Sequence, residues 1–154
     1  MADPEELYYR RVLFRTRLLG DRLYTPSHFW ILEREPGVWR VGLTKFASRM
    51  LGDIVDIAFE PKPGDQVAVG DTIGSFEGFK AVSELYSVAA GEFLGVNPLL
   101  EDRIAAVDDD RYRRGWLYEV RGTPDPRAMS MQAYADLLDE TIDRMQQSRR
   151  ETAE

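Results

Sequence analysis

Apolar and polar residues alternate with a period of two in the middle of the chain, as they do in strands that bury one face. Three segments show this alternation, at residues 39–43, 55–59 and 116–121. Residues that favour turns lie between these and neighbouring segments, at 35–37, 61–65, 70–71, 91 and 97–98. Short strands separated by frequent turns are typical of a small β-sandwich or barrel. The pattern therefore predicts a mostly β fold.

Two segments have helical character instead. Thr44 can cap a short helix over residues 45–51, which Gly52 would end. The second segment follows a break at 122–126, and Ser130, after that break, is a candidate N-cap. Its apolar residues fall on one helical face, at Tyr134, Leu138, Ile142 and Met145. We expect this C-terminal helix to pack on the core.

The first twenty residues form a separate basic and apolar segment, with apolar side chains between arginines over residues 5–19. We expect a helix here, which could pack on its own domain, dock a partner or lie on a membrane surface. The predicted organisation is therefore an N-terminal extension over 1–20, a β-sandwich over 21–122 and a helical segment over 123–154 that packs on the same domain.

Composition excludes several classes of function. The chain has 154 residues, no cysteine, one histidine and a net charge of −7. The absence of cysteine removes disulfides, thiolate metal sites and a cysteine nucleophile, and one histidine leaves little room for a metal site or a catalytic triad. The acidic charge argues against nucleic-acid binding. No signal peptide or membrane span is evident, so we expect a cytoplasmic protein. The missing cysteine and the single histidine lead us to expect that it is not an enzyme.

Lysine is rare in this chain, which has 17 arginines and three lysines. Lys80 lies between two strand-like segments, 67–76 and 81–88, and Gly78 supplies the backbone freedom of a tight hairpin. Lysine can form an amide bond that arginine cannot form. The sequence therefore predicts that Lys80 stands on an exposed turn where a modifying enzyme reaches it.

The surroundings of Lys80 resemble those of biotinyl and lipoyl carrier domains, in which the modified lysine has a glycine sixteen residues before it and another eleven after it. Here these are Gly64 and Gly91. Biotin carriers flank the lysine with methionines, whereas Phe79 and Ala81 flank this one, so the resemblance implies lipoate.

Several further blocks, in one order and spacing, resemble the glycine cleavage H-protein family from about Leu23 to the C-terminal helix. These blocks are residues 24–30, 41–44, 51–55, 83–87, 91–92, 96–97, 100–102 and 115–117. The resemblance implies a lipoyl-type β-sandwich (a barrel-sandwich hybrid) with lipoate linked to Lys80 and no catalysis of its own. It also implies that Gly64, Glu77 and Glu84 are read by a lipoate ligase or lipoyl transferase.

The sequence departs from this family where the carrier arm rests. The family's histidine, here His28, is normally followed by a glutamate that faces a cationic cargo, and Phe29 replaces it. With His28 and Phe29 expected in the arm-resting cleft, we interpret the chain as a carrier of sulfur intermediates, the lipoate-binding paralogue that works with a heterodisulfide-reductase-like complex. The alternatives are the aminomethyl carrier that serves the P, T and L proteins of glycine cleavage, and a scaffold domain without lipoate.

Overall fold

Two packed β-sheets form the body of the protein, in a computed structural model that describes residues 3–153. In chain order the strands are β1 Glu6–Arg11, β2 Phe14–Leu19, β3 Leu23–Tyr24, β4 Phe29–Glu35, β5 Val38–Leu43, β6 Ile54–Phe59, β7 Gln66–Val67, β8 Thr72–Gly78, β9 Val82–Tyr86, β10 Ala89–Val96 and β11 Tyr118–Pro124. The helices are α1 Lys45–Leu51, α2 Ala106–Asp109 and α3 Met131–Ala153, with a 3₁₀ turn at Pro98–Glu101.

The larger sheet has the order β3-β4-β5-β11-β10-β7 and the smaller one the order β6-β8-β9, with every pair antiparallel. Both sheets contribute side chains to one apolar core, which includes Ile31 and Phe93 of the larger sheet and Phe76 and Leu85 of the smaller. Burial of these alternate residues drives the two sheets together. The predicted β-sandwich is confirmed.

A second apolar cluster lies on the other face of the larger sheet. Because successive side chains of a strand point to opposite faces, β4 directs Phe29 and Ile31 into the first core and Trp30 into the second. Both predicted helices are confirmed: the Thr44 hydroxyl accepts a hydrogen bond from the Ala47 amide, and Ser130 caps α3 in the same way. The predicted apolar face of α3 fills this second cluster.

The prediction of a helix over residues 1–20 is wrong, because the structure has a hairpin of β1 and β2 there. Its two-residue turn is Val12–Leu13, and Val12 has a φ of 54°. Turns of this kind normally carry glycine, asparagine or aspartate at such a position. The sequence therefore offers no turn signal. The hairpin lies against α3, and Tyr9, Phe14, Leu18 and Leu19 belong to the second cluster.

Among residues 3–153, no helix is both long enough and apolar enough to cross a membrane. The predicted cytoplasmic location stays a prediction.

Candidate functional site

Lys80 lies in the turn of a β-hairpin, as the sequence predicts. Residues 79–81 connect β8 to β9, and the Gly78 amide donates a hydrogen bond of 2.9 Å to the Ala81 carbonyl across the turn. The Lys80 and Phe79 side chains are exposed. The turn thus presents a lysine amine at the end of the β8–β9 hairpin in the smaller sheet.

The backbone of this turn is bound to the C-terminal end of α1. The Leu51 carbonyl accepts hydrogen bonds from the Lys80 amide at 2.8 Å and the Ala81 amide at 3.2 Å, and the Phe79 amide donates to the Asp53 carbonyl at 3.1 Å. The last carbonyls of a helix have no partner within the helix, so the Leu51 carbonyl of α1 is available as an acceptor for the turn. These bonds fix the position of the Lys80 Cα and leave the side chain free.

Two glycines make this close approach possible. A Cβ at Gly78 would lie 2.2 Å from the Leu51 carbonyl oxygen, and a Cβ at Gly52 would lie 2.8 Å from the Lys80 nitrogen. Gly52 also has a φ of 77°, which residues with side chains rarely adopt. Gly78 and Gly52 are therefore steric requirements of the site, on opposite sides of one backbone contact.

An open cleft of about 400 Å³ lies beside Lys80. Its charged lining residues are Lys45, Arg49, Lys80, Asp53, Asp108 and Arg111. The Lys80 Nζ lies 3.5 Å from the Arg49 carbonyl, a distance at the limit of a hydrogen bond, so no strong contact within residues 3–153 holds the amine.

Positive charge dominates this cleft. Burial lowers the pKa of the Lys45 amine, and the nearby charges of Arg111, Arg49 and Arg15 lower it further. Burial likewise lowers the pKa of the Arg111 guanidinium. The unmodified Lys80 amine adds another cation to this cluster, and amide formation on its Nζ would remove that charge.

The residues around Lys80 fit a lipoyl group. The amine is exposed and weakly held, and Phe79 and Val82 expose apolar side chains on either side of it. An aliphatic chain joined to Nζ would therefore start between two apolar surfaces and over an open cleft. Amide linkage uses the Lys80 amine as the nucleophile, and its exposure leaves it accessible to a modifying enzyme.

The three predicted recognition residues fall in two places. Glu77 and Glu84 are exposed on the hairpin that carries Lys80, where Glu77 pairs with Val82 and Glu84 pairs with Ser75, so the two carboxylates share one face. Gly64 lies in the turn before β7 with a φ of 98°, and its amide donates to the Phe93 carbonyl. Tyr86, which sequence reasoning missed, donates a hydrogen bond of 2.6 Å to the Glu84 carboxylate.

His28 and Phe29, which the sequence predicts in an arm-resting cleft, do not line the cleft beside Lys80. Phe29 is 5% exposed in the first core, and its ring stacks on that of Phe76 with centroids 6.1 Å apart. Because residue 29 points into this core, an apolar side chain is accommodated at that position. A role for either residue at the arm therefore requires the arm to reach a different part of the surface.

His28 instead connects α1 to α3. Its ring packs on Phe46 with centroids 4.6 Å apart, and its Nδ1 shares a hydrogen bond of 2.8 Å with the Tyr134 hydroxyl. That hydroxyl also lies 3.1 Å from the Thr44 hydroxyl, the cap of α1. Burial lowers the pKa of His28 to about 4, so the ring is neutral at neutral pH.

Comparison with known proteins decides the family. The family model described as "Glycine cleavage H-protein" matches residues 22–142. The chain belongs to the glycine cleavage H-protein family. A glycine cleavage system H protein of Corynebacterium jeikeium is 38% identical over 122 residues, covering 77% of this chain and 95% of that protein, and one of Rubrobacter xylanophilus is 39% identical over 120 residues, covering 78% and 94%.

A solved structure agrees with this assignment. The crystal structure of a glycine cleavage system H protein from Mycobacterium marinum matches with a TM-score of 0.69 and 35% identity, over 77% of this chain and 97% of that one. H proteins are lipoyl carriers without catalysis of their own, as the sequence analysis predicts for this chain.

The sulfur-oxidation interpretation receives no support from these comparisons. The relatives and the solved structure named above are all glycine cleavage system H proteins, so the findings favour the aminomethyl carrier, which was the alternative. The burial of Phe29 also weakens the argument for a sulfur cargo, because that argument took position 29 to face the arm.

Proposed function

We propose that this H-protein family member carries lipoate on Lys80 and moves the aminomethyl group derived from glycine between the P, T and L proteins of the glycine cleavage system. The observation that carries this proposal is an exposed lysine in a turn that two hydrogen bonds hold to the Leu51 carbonyl, one from the Lys80 amide and one from the Ala81 amide. Among the described residues, the Lys80 amine makes no strong contact.

The chain's own contribution is a rigid base for a flexible arm. Because the Lys80 amide and its neighbour are held by α1, motion is confined to the side chain and the group attached to it. A tether of this kind keeps the reactive end at high effective concentration around each bound partner. Lipoate supplies, when attached, a pair of redox-active sulfurs to a chain that has no cysteine.

Lipoylation requires an enzyme that recognises the folded hairpin. We propose that a lipoate ligase or lipoyl transferase reads Glu77 and Glu84, whose carboxylates share the exposed face next to the Lys80 turn. For Gly64 we propose a separate contribution from the turn before β7, which lies near the end of β8 remote from Lys80 and where its positive φ gives the backbone a shape that residues with a Cβ rarely adopt.

The test is the intact mass of the protein after co-expression with a lipoate ligase, followed by peptide mapping. We expect one lipoyl group on Lys80, none in Lys80→Arg, and an unchanged yield of lipoylation in Lys62→Arg, a second exposed lysine that serves as the control. The lipoylated protein should support glycine-dependent decarboxylation by the P protein, and Lys80→Arg should not.

Two outcomes would contradict the proposal in different ways. A bare Lys80 in a host competent for lipoylation would indicate a scaffold domain that has kept the fold and lost the cofactor. A lipoylated protein that gives no glycine-dependent decarboxylation with its P protein would exclude the aminomethyl cargo and leave the carrier assignment standing.

A further inference from the structure

Two parts of the chain lie outside the family match, residues 1–21 and 143–154, and among the described residues an ion pair joins one part to the other. Arg11 of β1 forms an ion pair of 2.7 Å with Asp143 of α3, and the Tyr9 hydroxyl donates a hydrogen bond of 2.8 Å to Asp139. The relative from Corynebacterium jeikeium and the Mycobacterium marinum structure are covered to 95% and 97% of their length by 77% of this chain. The β1–β2 hairpin is thus a fixed addition to the family fold.

This hairpin reaches the same helix that holds the Lys80 turn. The Phe14 ring meets the Phe46 ring of α1 edge to face, with centroids 5.4 Å apart, and the Lys45 amine lies 6.0 Å from the Phe14 ring centroid. A groove of about 90 Å³ separates the hairpin turn from α1 and α3. Arg49 lines both this groove and the cleft beside Lys80, so the two depressions are neighbours.

The rim of the groove exposes apolar side chains that the fold does not use. Leu13 is 80% exposed, and Val12 and Met50 are each 50% exposed. Ile142 and Met145 line its apolar wall. Apolar side chains grouped at a groove mark interaction sites more often than isolated ones do.

Arginines surround these apolar residues. Arg49 and Arg149 line the groove itself, beside Arg11, whose charge is paired with Asp143, and Lys45 and Arg111 continue the positive surface into the cleft. The chain as a whole has a net charge of −7, so this collection of cations is a local feature of one face. An apolar centre with a charged border is the usual construction of a protein docking surface.

The conformation of the Val12–Leu13 turn also favours an interaction site beside the groove. Val12 adopts a φ of 54°, which is unfavourable for a β-branched residue. Backbone strain of this kind is found preferentially at functional positions. Here the strained residue is one of those that expose an apolar side chain beside the groove.

We propose that Val12, Leu13 and Met50, with the arginines around them, form a docking surface for the P protein, whose complementary surface would be an apolar patch bordered by carboxylates. This inference rests on the proposed function, because it assumes that Lys80 carries the arm that the P protein uses. Docking beside the arm raises the local concentration of the arm at the partner's active site.

A second copy of this chain is a poor occupant of the same surface. In a twofold dimer built on this face, the face meets itself, and the arginine border would oppose an identical arginine border. An acidic partner gains attraction from the same charges, and its rate of association falls as salt is added.

The experiment uses the lipoylated full-length protein as the variable substrate of the P protein in glycine decarboxylation. Leu13→Glu places a negative charge among the arginines and removes an apolar contact, without disturbing a buried side chain. We expect its KM to rise about tenfold or more with kcat unchanged, as for loss of one important interface residue. Added salt should raise the KM of the unmodified sequence more than that of the variant.

Tyr8→Glu is the matched control, because Tyr8 is 79% exposed on the same hairpin and does not line the groove. Its KM should stay within about twofold of the starting value. An equal KM for Leu13→Glu and the unmodified protein would overturn the inference while leaving the proposed function intact. A lipoylated protein that the P protein does not use at all would refute the proposed function and the inference together.

Two further measurements test other occupants. Sedimentation of the unmodified protein should show a monomer under the assay conditions, and a dimer that Leu13→Glu disrupts would overturn the inference in favour of self-association. Flotation with vesicles of anionic phospholipid should leave the protein unbound, and vesicle binding lost in Leu13→Glu would overturn it in favour of a membrane.

Discussion

Two hairpins lie against α1, and they are attached to it in different ways. The Lys80 turn is bound by its backbone, through the Leu51 and Asp53 carbonyls. The hairpin of β1 and β2 is bound by side chains instead, above all by the contact of Phe14 with Phe46. The first turn relies on Gly78 for a close approach, whereas the second places Val12 in a conformation that glycine would adopt without strain.

This difference separates the two roles that we assign. A turn fixed by hydrogen bonds positions one backbone atom accurately, which suits the base of an arm. A hairpin fixed by apolar packing leaves its turn residues free to expose side chains, which suits a contact surface. The predictions below test each attachment, and the helix beneath both of them, in order of decreasing effect.

The largest effect is expected for Gly78→Ala. Its methyl group would lie 2.2 Å from the Leu51 oxygen, so the turn must separate from α1 and lose the hydrogen bonds of Lys80 and Ala81. We expect a destabilisation of about 3 kcal/mol or more in urea unfolding, as for other buried steric clashes. The yield of lipoylation by mass spectrometry should fall sharply, since the lysine is no longer held at its place.

Gly37→Ala is the matched control. Gly37 has a φ of 80° in another turn, and a Cβ there meets nothing within 4 Å, so only the backbone conformation is penalised. We expect a loss of about 1 kcal/mol and normal lipoylation. If Gly78→Ala is lipoylated as fully as this control, the backbone attachment of the turn is not what presents Lys80.

The same contrast explains what the sequence could predict. The Lys80 hairpin has a turn signal, Gly78, between two alternating segments, and its position could be read directly. The N-terminal hairpin has Val12–Leu13 at its turn and arginines along its strands, so neither turn chemistry nor periodicity separated a hairpin from an amphipathic helix. Tertiary packing of Tyr9 and Phe14 against α3 and α1 decides the outcome there.

The candidate site likewise contains residues that the sequence predicts together and residues that only the fold brings together. Lys80, Glu77 and Glu84 are adjacent in sequence on one hairpin, so a local pattern was enough to bring them together. The cleft beside them is completed by Lys45 and Arg111, which are distant in the chain and meet through α1 and the segment that follows α2. Resemblance predicted that residue 29 faces the arm, whereas packing on Phe76 turns its side chain into the core.

The helix beneath both hairpins should respond to pH through His28. In the folded protein the pKa of His28 is lowered from 6.5 to about 4, so between these values the unfolded chain binds more protons. The contribution of His28 to the free energy of unfolding is therefore fully present above pH 6.5 and is lost as the pH falls towards 4. We expect a loss of about 2 to 3 kcal/mol from this group over that range, measured by urea unfolding at each pH.

His28→Asn isolates that contribution. Asparagine tolerates the φ of 73° at this position better than most residues and does not titrate. The variant should be less stable at pH 7, because the ring contacts with Phe46 and Tyr134 are lost, and its stability should change less between pH 6.5 and 4. An equally steep pH dependence in both proteins would mean that carboxylates alone produce it.

The smallest effect is expected at the N-terminal turn, and its sign is reversed. Val12→Gly removes the unfavourable φ of 54° and should stabilise the protein by up to about 1 kcal/mol, after allowing for the greater flexibility of glycine in the unfolded chain. Leu13→Gly, the matched control, should destabilise slightly, because Leu13 has no positive φ to relieve. Thermal unfolding compares the two, and a loss of stability in Val12→Gly would show that the valine side chain contributes to the fold. If Val12→Gly is more stable and the KM of the P protein for the lipoylated variant rises, the valine side chain contributes to docking and not to stability. The unfavourable φ of Val12 would then be explained by the contact that its side chain makes with the P protein.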